Sequence, residues 1–172
     1  MTPEFVAGAR TLAAEGLAFD ACVRWTQLAD AAALAAAAPE LRIVLDHVGK
    51  LPVSPATRGD GDVARWADGI RRIAERPRVH CKLSGLPAES SDDWTGDALT
   101  PFLDVALEAF GPDRLIYGSD WPVSGPGAAV AWIRLRVGRG CQTETGCTRR
   151  PAIPPSTSMA VPVVEPDAGL TR

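Results

Sequence analysis

Four short apolar segments that alternate with helical segments constrain the fold of this 172-residue chain more than any other feature. The segments follow one another at intervals of roughly 25–40 residues, a spacing typical of βαβ units with parallel strands. The sequence therefore predicts an α/β fold built on a parallel sheet. The predicted strands cover residues 17–23, 41–48, 79–86 and 114–117, and the predicted helices cover 5–15, 27–38, 59–74 and 97–110.

Helix signals support this division. In the third helix the apolar residues Val63, Trp66, Ile70 and Ile73 recur every three or four positions, which predicts one buried face. Gly16 follows the first helix, where a left-handed residue commonly ends a helix. A proline at 101 is expected to lie in the first turn of the last helix, where it is tolerated.

Polar residues stand where the predicted strands end. Asp46 and His47 complete the second strand, Ser84 lies near the end of the third, and Asp120 follows the fourth in the segment GSDWP. In barrels and open parallel sheets alike, ligands bind at the carboxyl ends of the strands. We therefore expect a site at this edge.

Composition excludes several classes of protein. The 18 basic and 21 acidic residues give a net charge of −3, which does not favour a nucleic-acid partner. The sequence shows neither a long apolar run nor a signal-peptide pattern, so we expect a cytoplasmic protein without a membrane span. The four cysteines form no CxxC pair, which fits reduced thiols rather than a structural zinc site. They are Cys22, Cys81, Cys141 and Cys147.

His47 and Asp120 are the candidate catalytic pair. A carboxylate can take a proton from water while an imidazole or a metal polarises a carbonyl group. Each residue also has a simpler interpretation: His47 as a histidine bonded to a backbone carbonyl, and Asp120 as a helix cap or turn residue. One histidine and one aspartate by themselves are a weak signal.

The remaining polar and aromatic candidates have weaker signals. Asp20 interrupts an apolar strand, where an acid is costly unless it is paired or faces a cavity. Ser84 shares a strand face with Lys82, but no G-x-S-x-G motif surrounds it. The candidate substrate-binding residues are Asp20, Ser84 and Trp121. Structural roles are expected for His80, at the start of its strand, and for Cys81, as a small buried residue. Trp94 either packs in the core, the more common use of such a residue, or lines a pocket. Asp46 orients the loop or a substrate, or faces solvent.

Three motifs resemble the amidohydrolase-related family (amidohydrolase 2), in the lactonase-like branch that contains L-fuconolactonase and 2-pyrone-4,6-dicarboxylate lactonase. They are LRIVLDHVGKLP at 41–52, VHCKLSGL at 79–86 and FGPDRLIYGSDWPV at 110–123. The resemblance implies strands five to eight of a (β/α)8 TIM barrel. It also implies a hydrolase that opens a small lactone, with Asp120 activating water and His47 polarising the carbonyl. His47 and Asp120 would be ligands if one divalent metal, commonly zinc, is used.

Departures from the family pattern leave alternatives open. The family's first strand carries a His-x-His pair, and this sequence contains none. A Pro- and Thr-rich segment at 138–172 lacks periodicity and is predicted to be a disordered tail behind a half-barrel at 1–137. We interpret the chain as a truncated gene product whose reading frame changed near 124–138. The alternatives to the lactonase are a catalytically incompetent fragment, which could self-associate through unpaired sheet edges, and a decarboxylase of the same superfamily.

Overall fold

Four strands and four helices alternate in the computed structural model, which describes residues 1–90 and 94–124. The strands are parallel, so the predicted α/β fold with a parallel sheet is confirmed. The elements in chain order are α1 (Pro3–Ala14), β1 (Ala18–Ala21), α2 (Leu28–Ala37), β2 (Arg42–Leu45), α3 (Asp62–Ala74), β3 (Val79–Leu83), α4 (Gly96–Phe110) and β4 (Leu115–Tyr117).

The order of the strands in the sheet is their order in the chain, β1-β2-β3-β4. Asp20 in β1 is level with Val44 in β2, and Val44 is level with His80 in β3. Further along β3, Lys82 is level with Ile116 in β4. This register places Asp20 and Lys82 on one face of the sheet, because residues paired across parallel strands and residues two apart along a strand share a face.

The two faces of the sheet differ in burial. One face is packed into the apolar core that the helices complete, and its buried residues include Ile43, Leu45, Val79 and Cys81. The opposite face is only partly buried in the described residues and carries Asp20, Val44, His80 and Lys82. The helices thus cover one side of the sheet and leave the polar side facing away from them.

Helix α3 carries the core face that its sequence predicts. Trp66, Ile70 and Ile73 are fully buried, and Val63 is partly buried. The Trp66 ring meets the Phe102 ring of α4 edge to face, with the ring centroids 5.4 Å apart. Burial of each large side chain of this kind stabilises the fold by about 1.5–3 kcal/mol.

Two local predictions are corrected by the structure. Pro101 lies in the second turn of α4 and not in the first, because the helix begins at Gly96, after Thr95 has capped it by accepting a hydrogen bond from the Ala98 N–H. The second strand ends at Leu45 rather than at 48, because Asp46–Gly49 form a 3-10 turn in which His47 and Val48 have φ of 53° and 51°. That turn bends the chain out of the sheet.

Several predictions concern residues outside the described ranges. They are the helix at 128–137, the tail at 138–172, and the cysteines at 141 and 147. Within the described ranges, Cys22 and Cys81 are free thiols. None of the described helices combines the length and the apolar character needed to cross a membrane.

Candidate active site

The turn that follows β2 presents His47 to the site. Its left-handed backbone at His47 and Val48 is uncommon for residues other than glycine. The indole N–H of the buried Trp66 donates a 2.8 Å hydrogen bond to the Val48 carbonyl, which ties the turn to α3. The core therefore supports the conformation that aims His47 toward β3 and β4.

His47 meets two of the residues that the sequence singled out. Its Nδ1 lies 2.9 Å from Ser84 Oγ, directly after β3, and 3.6 Å from Asp120 Oδ1, beyond the end of β4. The side chains of His47 and Asp120 are 20% and 11% exposed, so both are largely shielded from water. The structure thus brings His47, Ser84 and Asp120 together at the carboxyl edge of the sheet.

Asp120 is held by the short turn that follows it. Its backbone φ is 55°, its carbonyl accepts the Ser124 N–H at 3.0 Å, and its Oδ2 accepts the Ser124 hydroxyl at 2.5 Å. One carboxylate oxygen is therefore fixed by Ser124, while the other faces His47. Sequence reasoning missed Ser124; its only signal is a hydroxyl four residues after the aspartate.

Burial sets the protonation state of His47. It lowers the pKa of the imidazole, and the nearby carboxylates of Asp120 and Asp46 oppose that shift only in part. The imidazole is therefore neutral near pH 7, with one N–H donor and one bare nitrogen. A neutral imidazole can donate a hydrogen bond without adding a charge to the site.

A second polar cluster lies beside the first. The Lys82 ammonium contacts Asp46 Oδ1 at 2.5 Å and Asp20 Oδ2 at 3.4 Å, so one cation joins residues of three strands or their ends. Burial lowers the pKa of Lys82, but the hydrogen bonds and charges of the two carboxylates outweigh it and raise the pKa above its ordinary value. Lys82 is therefore charged.

This cluster explains how Asp20 is tolerated in its strand. An acid within an apolar strand needs a partner, and the partner of Asp20 is Lys82. Asp46, for which the sequence left open the orientation of the loop, the orientation of a substrate and exposure to solvent, is also bonded to Lys82 and is buried. The sequence predicts that Lys82 shares a strand face with Ser84, but it does not predict that Lys82 pairs with Asp20 and Asp46.

Two glycines allow close packing around these side chains. A Cβ atom on Gly85, whose φ is +72°, would lie 2.8 Å from His47 Cβ and Nδ1. A Cβ on Gly118 would lie 3.1 Å from Ser84 Cβ and 3.2 Å from the Lys82 stem. Gly85 therefore leaves no room for a side chain, whereas a side chain at Gly118 would be in tight contact with Ser84 and Lys82.

The other predicted residues occupy separate environments. Trp121 is 71% exposed beside Asp120, whereas Trp94 is partly buried against the core. Cys81 is fully buried, and burial raises the pKa of its thiol to about 12, in keeping with the expected structural role. His80 lies level with Asp20, toward the amino end of the sheet.

His47 also belongs to a group of possible metal ligands. Ligand atoms of Cys22, Asp46 and His47 all lie within 4.8 Å of one another. Thiolate, carboxylate and imidazole are the ligand types that zinc binds in proteins. The separation of 3.6 Å between His47 Nδ1 and Asp120 Oδ1 also matches the spacing of about 3.4 Å expected for two ligands of one tetrahedral zinc ion. The donor set therefore fits a zinc ion.

Comparison with known proteins identifies the family of this chain. The family model described as amidohydrolase (Amidohydro_2) matches residues 3–141, which is most of the chain. The chain belongs to the amidohydrolase family. The match continues past Val123, where the motifs quoted above end.

Curated and solved relatives agree with this assignment. The amidohydrolase chain is 36% identical over 157 residues to an L-fucono-1,5-lactonase of Burkholderia multivorans, covering 87% of this chain and 52% of the relative. It also matches crystal structures of a B. multivorans amidohydrolase. The structure with bound HEPES has a TM-score of 0.72 at 35% identity, with 83% of this chain and 53% of the other aligned. The structure with bound zinc has a TM-score of 0.71 at 34% identity, with 83% and 52% aligned. The chain thus spans about half the length of these relatives.

Proposed function

We propose that this chain supplies part of the active site of a hydrolase that opens a small lactone. The observation that carries the proposal is the approach of Asp120 Oδ1 to within 3.6 Å of His47 Nδ1 at the carboxyl edge of the sheet. The relationship to an L-fucono-1,5-lactonase supports a sugar lactone as the substrate class.

We propose further that the four strands are strands five to eight of a (β/α)8 barrel. In such a barrel the helices form the outer ring, and the inner face of the sheet points toward the barrel axis. The partly buried face with Asp20 and Lys82 is the face that the helices leave uncovered. The match to about half of the relatives' length supports the same arrangement.

In the proposed reaction, the Asp120 carboxylate accepts a proton from a water molecule whose oxygen attacks the lactone carbonyl carbon. The neutral His47 donates a hydrogen bond to the carbonyl oxygen and stabilises the negative charge that develops there. The ring C–O bond then breaks, and the proton held by Asp120 passes to the departing alkoxide oxygen. The product is a hydroxy acid, so no further reactant is required.

Three side chains are proposed to bind the substrate. Ser84 Oγ, 2.9 Å from His47 Nδ1, can hydrogen-bond a ring oxygen or fix the imidazole orientation. Trp121 presents an exposed indole beside Asp120, where the apolar face of a sugar ring can pack. Asp20, on the helix-free face, is proposed to reach a substrate hydroxyl group while it remains paired with Lys82.

A zinc ion could be held by His47 together with Asp120, or by His47 with Cys22 and Asp46. A bound zinc ion would polarise the carbonyl and lower the pKa of a coordinated water molecule. The B. multivorans amidohydrolase with bound zinc supports this choice of metal.

The test is hydrolysis of L-fucono-1,5-lactone by the purified 172-residue chain, followed as acid release. We expect Asp120→Asn to lower the rate by at least about 100-fold, because the amide cannot accept the proton from water. Asp68→Asn is the matched control, since Asp68 is exposed on α3 and pairs with Arg71 at the surface. A wild-type chain without activity above the spontaneous rate, with or without added Zn²⁺, would instead indicate the catalytically incompetent fragment.

A further inference from the structure

Lys82 lies at the centre of the polar face, yet the proposed reaction does not use it. Its side chain extends from β3 toward β2 and β1, where the ammonium contacts Asp46, which follows β2, and Asp20, which is in β1. It is one of only two lysines in a chain whose other basic residues at neutral pH are 16 arginines. The residue therefore needs an explanation of its own.

The Lys82 side chain is confined on several sides. The Lys82 stem passes so close to Gly118 that a Cβ there would lie 3.2 Å from its Cγ and Cδ atoms. At its tip, the ammonium is shared by the two carboxylates, and all three side chains are mostly buried. The ammonium has few alternative positions, because moving it away would leave the two largely buried carboxylates without a counter-charge.

The position of Asp46 connects this cluster to the proposed catalytic histidine. Asp46 directly precedes His47, and both residues belong to the left-handed turn Asp46–Gly49. Lys82 is bonded to Asp46, and Ser84, two residues further along the chain, is bonded to His47. Lys82, in β3, and Ser84, directly after it, thus fix two consecutive side chains of the turn.

We propose that Lys82 is a positioning residue that clamps Asp46 against β3, with Asp20 as the second carboxylate on the ammonium, and thereby fixes His47 for lactone hydrolysis. This inference rests on the function proposed above. Lys82 acts through Asp46 and does not touch the reacting atoms. Loss of the clamp frees the turn at Asp46, so His47 leaves its position between Ser84 and Asp120.

The kinetic test compares Lys82→Met with Lys82→Arg, which retains the charge and can contact both carboxylates. We expect Lys82→Met to lower kcat by roughly 10–100-fold, as is typical when the support of a site residue is removed, with KM changed by no more than about twofold. Lys82→Arg should recover most of kcat. A raised KM with unchanged kcat would overturn the proposal, because Lys82 would then be a substrate-binding group.

A double-mutant comparison identifies the partner. If the clamp acts through Asp46, Asp46→Asn should reproduce the loss in kcat, and the Lys82→Met/Asp46→Asn double variant should be no worse than either single variant. Independent, multiplicative losses would overturn the proposal. Arg71→Met, which removes a cation from the solvent-facing side of α3, is the matched control and should retain wild-type kcat.

Two further measurements distinguish loss of the clamp from unfolding of the variant and from a wild-type chain without lactonase activity. The triple variant Asp20→Asn/Asp46→Asn/Lys82→Met leaves no unpaired charge in the cluster, so its melting temperature should be close to that of the wild type. Its kcat should remain as low as that of Lys82→Met. The chain has two histidines, so the ring ¹⁵N signals of His47 can be followed with His80 as an internal reference. We expect Lys82→Met to shift the His47 signals and Lys82→Arg to restore them.

The NMR result is independent of lactone hydrolysis. If the wild type hydrolyses no lactone but its His47 signals depend on Lys82 in this way, the proposed function fails and the clamp stands. If the His47 signals of folded Lys82→Met equal those of the wild type, the clamp is disproved whatever the activity.

Discussion

At the scale of single residues, the site depends on unusual backbone positions as much as on its polar groups. His47, Val48 and Asp120 all have positive φ, a conformation that costs roughly 1–2 kcal/mol for a residue other than glycine. Hydrogen bonds from Trp66 to the Val48 carbonyl and from Ser124 to the Asp120 carboxylate offset that cost. The two proposed catalytic side chains are thus placed by neighbours with no part in the chemistry.

Gly85 provides a test of that placement. Gly85→Ala adds a methyl group 2.8 Å from His47 and also strains a φ of +72°, so we expect the free energy of unfolding to fall by about 2–4 kcal/mol and lactone hydrolysis to fall with it. Chemical denaturation and the lactone assay measure the two effects.

Gly61→Ala is the matched control for Gly85→Ala. Gly61 has a similar φ of +79°, but nothing lies within 4 Å of an added Cβ. This variant should lose only the backbone contribution of about 1–2 kcal/mol. Equal losses in the two alanine variants would show that contact with His47 is not what makes Gly85 necessary.

At the scale of elements, the sequence predicts strands and helices better than it predicts the side chains that connect them. The four helices and four strands are found within a few residues of the expected ranges, because each carries its own hydrophobic period and its own end signals. The Lys82 contacts were not predictable in this way. They depend on the register of three strands that lie far apart in the chain.

Arg114 connects elements in a comparable way. Its guanidinium donates hydrogen bonds to the carbonyl of Phe110, at the end of α4. It also donates to the carbonyls of Ala74 at the end of α3, Arg76 in the connection, and Val79 at the start of β3. We expect Arg114→Met to lower the free energy of unfolding by at least about 2 kcal/mol, because partly buried carbonyls lose a charged donor. Urea denaturation measures the change.

Arg65→Met is the comparison for Arg114→Met. Arg65 is an exposed arginine of α3 whose ion pair with Asp62 lies at the surface. Its loss should cost no more than about 1 kcal/mol. A similar effect of both substitutions would mean that the bonds of Arg114 to the backbone do not join the two βα units.

At the scale of the whole described molecule, the family relationship and the strand-end rule together predict where the candidate site lies. His47, Ser84 and Asp120 meet at one edge because parallel strands bring their carboxyl ends together. Neither the family relationship nor the strand-end rule predicts the turn at Asp46–Gly49, since its left-handed residues include a valine, for which no sequence rule predicts positive φ.

The pH dependence of stability is also a property of the whole fold. Burial lowers the pKa of both His80 and His47 below the ordinary value of 6.5. Between the folded and unfolded pKa values the unfolded chain binds more protons, so the free energy of unfolding falls as the pH falls through that window. We expect stability to decrease from about pH 7 to about pH 5, the range in which histidines titrate.

His80→Gln isolates one part of this effect. The variant lacks the His80 imidazole, so its loss of stability over the same pH range should be smaller than that of the wild type. Urea denaturation at the two ends of the range measures both. An equal loss in the variant would exclude His80 as a contributor.

The identity between strand order and chain order has a consequence for synthesis on the ribosome. Each strand pairs with the one made just before it, so the sheet can grow by addition at one edge as the chain emerges. Asp20 and Asp46 are synthesised before Lys82, the cation that both contact in the folded chain. Asp120 emerges last. All three residues of the charge cluster are therefore synthesised before the second member of the proposed catalytic pair.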